Sequence, residues 1–142
     1  MPYEPESFPT VVLDTNILLD LYVFRDSAVV PLRAALEAGT VNWLITEPML
    51  EEFSRVLKYP QIVRRLVYFD LKADEITLPI LKQVDLRPVP AKAKFTCKDP
   101  DDQKFINLAV AHRSQLISKD RDVLSMKKRL LTLHVEVHSR FS

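Results

Sequence analysis

Thr10-Val11-Val12-Leu13-Asp14-Thr15-Asn16-Ile17-Leu18-Leu19 opens as an apolar run and stops abruptly on a carboxylate, a hydroxyl and a carboxamide. Val11, Val12 and Leu13 suit a central strand of a parallel sheet, which is covered on both faces and therefore shows an unbroken apolar run. In open α/β sheets, ligands sit outside the carboxyl ends of the strands, so this strand delivers Asp14 to the edge where chemistry is done. A plainer role is open to the same residues. Asp, Thr and Asn are all ordinary helix caps, so Asp14, Thr15 or Asn16 could simply start the helix that follows.

Composition narrows the classes. A chain of 142 residues fits one domain, expected over residues 10–142, with the polar, proline-rich residues 1–9 as a flexible lead-in. The hydrophobic fraction of 47% and charged fraction of 27% are those of a water-soluble globule, and no apolar run approaches the ~18 residues of a membrane span. Met1-Pro2-Tyr3-Glu4-Pro5-Glu6 lacks the basic start and apolar core of a secretory signal, and Cys97 is the only cysteine. The expected compartment is the cytoplasm, without membrane or disulfides. A net charge of +1 excludes a surface that holds nucleic acid by phosphate neutralisation alone, leaving local patches. A single glycine, Gly39, rules out both a dinucleotide fingerprint and a Walker loop.

Outward from the first strand, Ile17, Leu18, Leu21, Tyr22 and Phe24 continue a helical face, and residues 28–38 form a second helix that Gly39 caps. Residues 41–45 are β-branched and aromatic, hence a second strand, ending at Thr46. Thr46 and Pro48 open a helix to about Lys58, with Met49, Leu50, Phe53, Val56 and Leu57 on one stripe. Residues 61–84 are charged but periodic and predict one or two helices interrupted near Pro79, before an edge strand at Leu86 to Val89. Asp99-Pro100-Asp101-Asp102 starts a helix by every local rule and runs to about Ser114, with His112 inside it. Leu116-Ile117-Ser118 is a buried strand, residues 123–130 are one helix, and residues 133–137 are the last strand, carrying His134 and leading to His138. Strand and helix alternate throughout, which predicts a three-layer α/β/α sandwich on a mostly parallel sheet of four to five strands.

That topology brings acids together. Asp14 follows the first strand, Asp120 and Asp122 follow the third, and the helix begun at Asp99 to Asp102 has its N-terminus at the same edge. Such a cluster repels itself and raises the pKa values of its members unless a cation neutralises it, and all-oxygen ligands favour Mg²⁺ or Mn²⁺ over zinc. His112, His134 and His138 lack the cysteine pair or H-E-x-x-H helix of a zinc site, and no nucleophile elbow supports covalent acyl chemistry.

Four segments in order resemble the PIN-domain ribonucleases, and among them the VapC-like toxins: Val12-Leu13-Asp14-Thr15-Asn16, Leu50-Glu51-Glu52-Phe53 with Val56-Leu57, Asp99-Pro100-Asp101-Asp102 with Phe105, and Ser118-Lys119-Asp120-Arg121-Asp122. The match covers nearly all of the chain after residue 9, although residues 60–98 carry no signature. The resemblance implies a PIN-like fold and an endoribonuclease that uses Mg²⁺ or Mn²⁺ and water to leave a 5′-phosphate and a 3′-hydroxyl. It implies Asp14, Asp102 and Asp120 as metal ligands, Glu52 as a ligand or a base acting through water, Asp122 as a further acid at the metal and Asp99 in support. Thr15 and Asn16 would orient Asp14 or the scissile phosphate. Lys119 stands where the family often has glycine, which leaves the acid in place and alters the charge of its loop. An antitoxin and a second copy of the chain are the implied partners, beside the RNA substrate.

Helical geometry separates the two adjacent glutamates. At about 100° per residue, Glu52 lies some 100° from the centre of the apolar stripe and Glu51 about 160° away, so Glu52 borders the buried face. Two other classes compete: a PIN-like binding module without catalysis, and a phosphoryl-transfer domain of phosphatase or receiver type. A haloacid-dehalogenase-like phosphatase needs a second acid two residues after the first, where this chain has Asn16.

Overall fold

The computed structural model describes residues 8–141, so most of the lead-in expected over residues 1–9 lies outside the described residues. Five parallel strands form one sheet in the order β3-β2-β1-β4-β5: β1 (Thr10–Leu13), β2 (Asn42–Ile45), β3 (Asp85–Leu86), β4 (Gln115–Ile117) and β5 (Val137–His138). The chain works outward from β1 to β3 and then returns to the far side of β1 for β4. Right-handed crossovers in opposite directions place their helices on opposite faces, which makes three layers. The reversal lies between β1 and β4, the crevice where open α/β sheets bind ligands.

Burial explains the strand sequences. Val11, Val12, Leu13, Leu44, Ile45 and Leu116 are all 0% exposed, so consecutive residues are covered whichever face they meet, as an unbroken apolar run demands. The first crossover consists of α1 (Thr15–Leu19), a π turn over Asp20–Phe24 that ends on left-handed Arg25, and α2 (Val30–Ala38) after a 3₁₀ turn. Gly39 takes φ +69° and caps α2, as its position predicts. Helix α3 (Glu47–Val56) buries Met49 and Phe53. Helix α6 (Gln103–His112), between β3 and β4, packs Phe105, Ile106, Leu108 and Ala109 inward and lies against β1 and β4.

Several boundaries differ from the sequence expectation. The cap of α1 is Asp14, and Thr15 and Asn16 fall in its first turn. Residues 61–84 do form two helices, α4 (Pro60–Tyr68) and α5 (Ala73–Gln83), but the break is at Phe69 to Lys72 and Pro79 sits inside α5. Asp70 supplies the break by adopting φ +53°, a conformation that Asp tolerates better than most residues, and the Glu75 carboxylate accepts from the Lys72 amide at 3.0 Å to start the next helix. The helix expected over residues 123–130 is two, α7 (Arg121–Leu124) and α8 (Lys127–Leu131), because the Ser125 hydroxyl donates back to the Asp122 carbonyl at the junction. The last strand begins later than expected. His134 takes φ +66° and the Val135 amide returns to the Leu130 carbonyl, so residues 133–135 close α8 and only Val137 and His138 pair with β4. His134 is thus a turn residue, and His112 is the last residue of α6.

Candidate active site

Three chain segments deliver carboxylates to the crevice between β1 and β4, and each does so through a helix start. Asp14 caps α1, its Oδ1 accepting the Ile17 amide at 3.0 Å. Asp99 caps a 3₁₀ turn over Pro100–Asp102 by accepting the Asp101 amide at 2.9 Å, and Asp120 caps α7 by accepting the Asp122 amide at 2.8 Å. Capping and site roles are therefore compatible. A carboxylate that caps with one oxygen keeps the other for a ligand, and the cap fixes its rotamer.

Ser118, completely buried after β4, links two of these acids: its hydroxyl donates to Asp14 Oδ2 and accepts the Asp120 amide at 3.0 Å. The His138 carbonyl in turn accepts the Ser118 amide at 2.9 Å, so the β4–β5 pairing holds the loop that carries Asp120. Asp99, Asp102 and Asp120 each bring a carboxylate oxygen within 4.8 Å of the other two. Asp102 is only 9% exposed, and its buried Oδ2 has no hydrogen-bond partner among the described residues. Burial pushes the Asp102 carboxyl up to about 7, with the charges of Asp120 and Asp99 adding to it. Asp14 is likewise raised, chiefly by burial, against the lowering effect of the Ser118 and Ile17 hydrogen bonds.

The cavity above these acids holds about 480 Å³ and is lined by Asp14, Thr15, Asn16, Glu52, Asp99, Asp101, Asp102 and Asp120, and also by Arg55 of α3, Tyr59 at its end and Gln61 in α4. Glu52 reaches it from α3, accepting the Thr15 hydroxyl with Oε1 and pairing through Oε2 with Lys104. Glu51 is exposed on a separate shallow surface with Glu47 and Arg87, as the helical register requires. Asp122 does not line the cavity: it contributes its amide to the Asp120 cap. Lys119 turns away and pairs with Asp20.

The sequence motifs assign no site role to Lys104, Asp101, Arg55, Tyr59, Gln61 or Ser118, which the structure brings to the cavity or to the side chains that line it. Ser118 carried a readable signal, a hydroxyl two residues before an acid, the spacing of a side-chain turn on the Asp120 amide. Lys104 carried none, because its pairing with Glu52 depends on where α6 sits against α3.

The donor set fits a hard divalent cation on this structure's own terms. All the converging atoms are carboxylate oxygens, one is orphaned and buried among the described residues, and one carboxyl is held far above its ordinary 3.8 by burial and then by the charges of Asp120 and Asp99. A model of the PIN domain matches residues 10–122. The chain belongs to the PIN-domain family. The fold of this PIN domain is similar to that of a chain in VapBC2 from Rickettsia felis, solved bound to a DNA fragment from their promoter. The two share 16% identity and a TM-score of 0.58 over 90% of this chain and 98% of that one, a likeness of fold. No curated protein matches the chain. Among the described residues, no helix of this PIN domain is long and apolar enough to cross a membrane.

Proposed function

We propose that this PIN domain is a metal-dependent endoribonuclease and the toxin of a toxin–antitoxin pair. The observation that carries the nuclease reading is the buried Asp102 Oδ2, without a partner among the described residues, beside Asp99 and Asp120 in a cavity of about 480 Å³. Family membership supports hydrolysis of phosphodiesters, and the resemblance to VapC-like toxins supports RNA as substrate, an antitoxin and a second copy as partners, and a cytoplasmic setting. Asp14, Asp102 and Asp120 are the residues to hold Mg²⁺ or Mn²⁺, with Glu52 at its margin and Asp99 supporting, while Asp122, outside the cavity lining, acts only through its amide on the Asp120 cap. Bound there, the cation would offset the phosphate charge and acidify a water molecule.

The chain's own residues position the reaction. Ser118 ties Asp14 to the Asp120 loop through one hydroxyl, so the two acids move as a unit. Thr15 and Lys104 hold the Glu52 carboxylate from both oxygens, which places it to steer the attacking water. Asn16 lies on the cavity wall, where its carboxamide is available to a non-bridging phosphate oxygen. The water oxygen joins phosphorus as the P–O3′ bond breaks, and the departing O3′ takes up a proton, leaving a 5′-phosphate and a 3′-hydroxyl.

Purified protein incubated with RNA is expected to cleave in Mg²⁺ or Mn²⁺ and to lose all detectable cleavage in EDTA, recovering on readdition of the metal. Undiminished cutting in EDTA, once contaminating nuclease is removed, would sink the metal reading. The two glutamates give a second test. Glu52→Gln is expected to slow cleavage at saturating Mg²⁺ at least about tenfold, or roughly 1.4 kcal/mol of barrier, while Glu51→Gln stays within about threefold. Equal losses in the two variants would mean that Glu52 has no special part.

A further inference from the structure

Six carboxylates line the cavity, and a polyanionic strand cannot approach it on the strength of the acids alone. Arg55, on α3 three residues after Glu52, is the one cation lining the cavity among the described residues. Lys104, which reaches the site through Glu52, is already engaged in that ion pair, and elsewhere Lys119 is paired with Asp20 and Arg87 with Asp85. Arg55 is exposed in the last turn of α3 and has no ion pair or ring partner among the described residues.

Four residues on, at the corner between α3 and α4, Tyr59 lines the same cavity and is 47% exposed. Several other aromatic side chains are occupied, Tyr22 stacked on Trp43 and Tyr68 against Phe69, with Arg65 over Phe24 and Phe69. Tyr59 has no ring or cation partner among the described residues. An exposed ring beside a free guanidinium, both facing a phosphodiester-cutting crevice, is the pairing that grips single-stranded nucleic acid, because a base offers its face only when it is not stacked in a duplex.

We infer that Arg55 and Tyr59 form the substrate grip of this site, Arg55 on a phosphate flanking the scissile one and Tyr59 stacked on an unpaired base, so that the enzyme cuts RNA that is single-stranded there. The inference rests on the ribonuclease reading above. In steady-state cleavage, Tyr59→Ala and Arg55→Gln should each raise KM about tenfold with kcat nearly unchanged, and Tyr59→Phe should behave as wild type. Arg55→Gln should also lower the slope of log KM against log salt by about one, whereas Lys82→Gln, near the end of α5 at the opposite edge of the sheet, leaves it unaltered. Wild type should cut an oligoribonucleotide at least about tenfold faster alone than annealed to its complement. Melting curves of each variant check its fold, and fluorescence anisotropy of the labelled RNA reads binding separately from cutting. Cleavage by wild type with KM within twofold in both variants, or equal cutting of the duplex, overturns the grip. No cleavage, with binding still weakened by both substitutions, overturns the nuclease reading and keeps the grip; neither binding nor cleavage overturns both.

Discussion

Asp102→Asn is expected to reduce RNA cleavage at least about a thousandfold, some 4 kcal/mol of barrier, while raising the melting temperature of the metal-free protein. Its carboxyl is buried, held up to about 7 by that burial and by Asp120 and Asp99, and its Oδ2 has no partner among the described residues. An amide of the same shape carries no charge and can donate toward Asp120, so the folded state gains what the reaction loses. The pH dependence follows from the raised value. Between the unfolded value near 3.8 and about 7, the folded protein keeps a proton that the unfolded chain has released, so stability falls as pH rises through this window. The gain from Asp102→Asn should be absent near pH 4 and complete above pH 8. After allowance for the open side of the cavity, the gain is on the order of 2 kcal/mol, about 5 °C in a domain of this size. Mg²⁺ should raise the melting temperature of wild type at pH 8 and leave the variant unmoved. A variant that melts lower than wild type without metal at pH 8 would show Asp102 to be a structural acid.

At Asp14, cleavage and stability should separate between two substitutions. Asp14→Asn and Asp14→Ala are both expected to lose cleavage at least about a hundredfold, because each removes a carboxylate from the crevice. Asn retains an oxygen for the Ile17 amide and a polar group opposite the Ser118 hydroxyl, so its stability should stay within about 0.5 kcal/mol of wild type. Ala uncaps α1 and leaves the completely buried Ser118 Oγ with no polar group opposite it, where the Asn amide can still donate to that oxygen, so Ala should cost about 2 kcal/mol relative to Asn. Thermal melts of the two variants in EDTA, beside cleavage rates in Mg²⁺, measure both effects. Retained cleavage in Asp14→Asn would reduce this residue to its cap.

Much of the fold was written locally. Val11, Val12 and Leu13 form an unbroken apolar run because both faces of β1 are covered, Gly39 stops α2 because its φ is positive, and Asp99-Pro100 opens the 3₁₀ turn into α6 because a capping acid and a proline need nothing beyond their own backbone. The elements that misread were those where a residue without a strong preference took a special conformation. Asp70 and His134 adopt positive φ with no glycine to announce it, which moved the break before α5 and delayed β5. Pro79 is accommodated inside α5, so a usual interruption signal did not mark the interruption.

At the candidate site, chain order alone brings Asp14, Asp99, Asp102 and Asp120 to the carboxyl edge, since each follows a strand or starts a helix there, and the helical register of α3 separates Glu52 from Glu51. Whatever depends on distance between segments is set by packing: Ser118 ties Asp14 to Asp120, Lys104 pairs with Glu52, Asp122 spends its amide on a cap, and Asp102 keeps a buried oxygen without a partner among the described residues. Period and capping are properties of a few neighbouring residues, whereas burial and pairing depend on how α3, α6 and the β4 loop pack around one crevice.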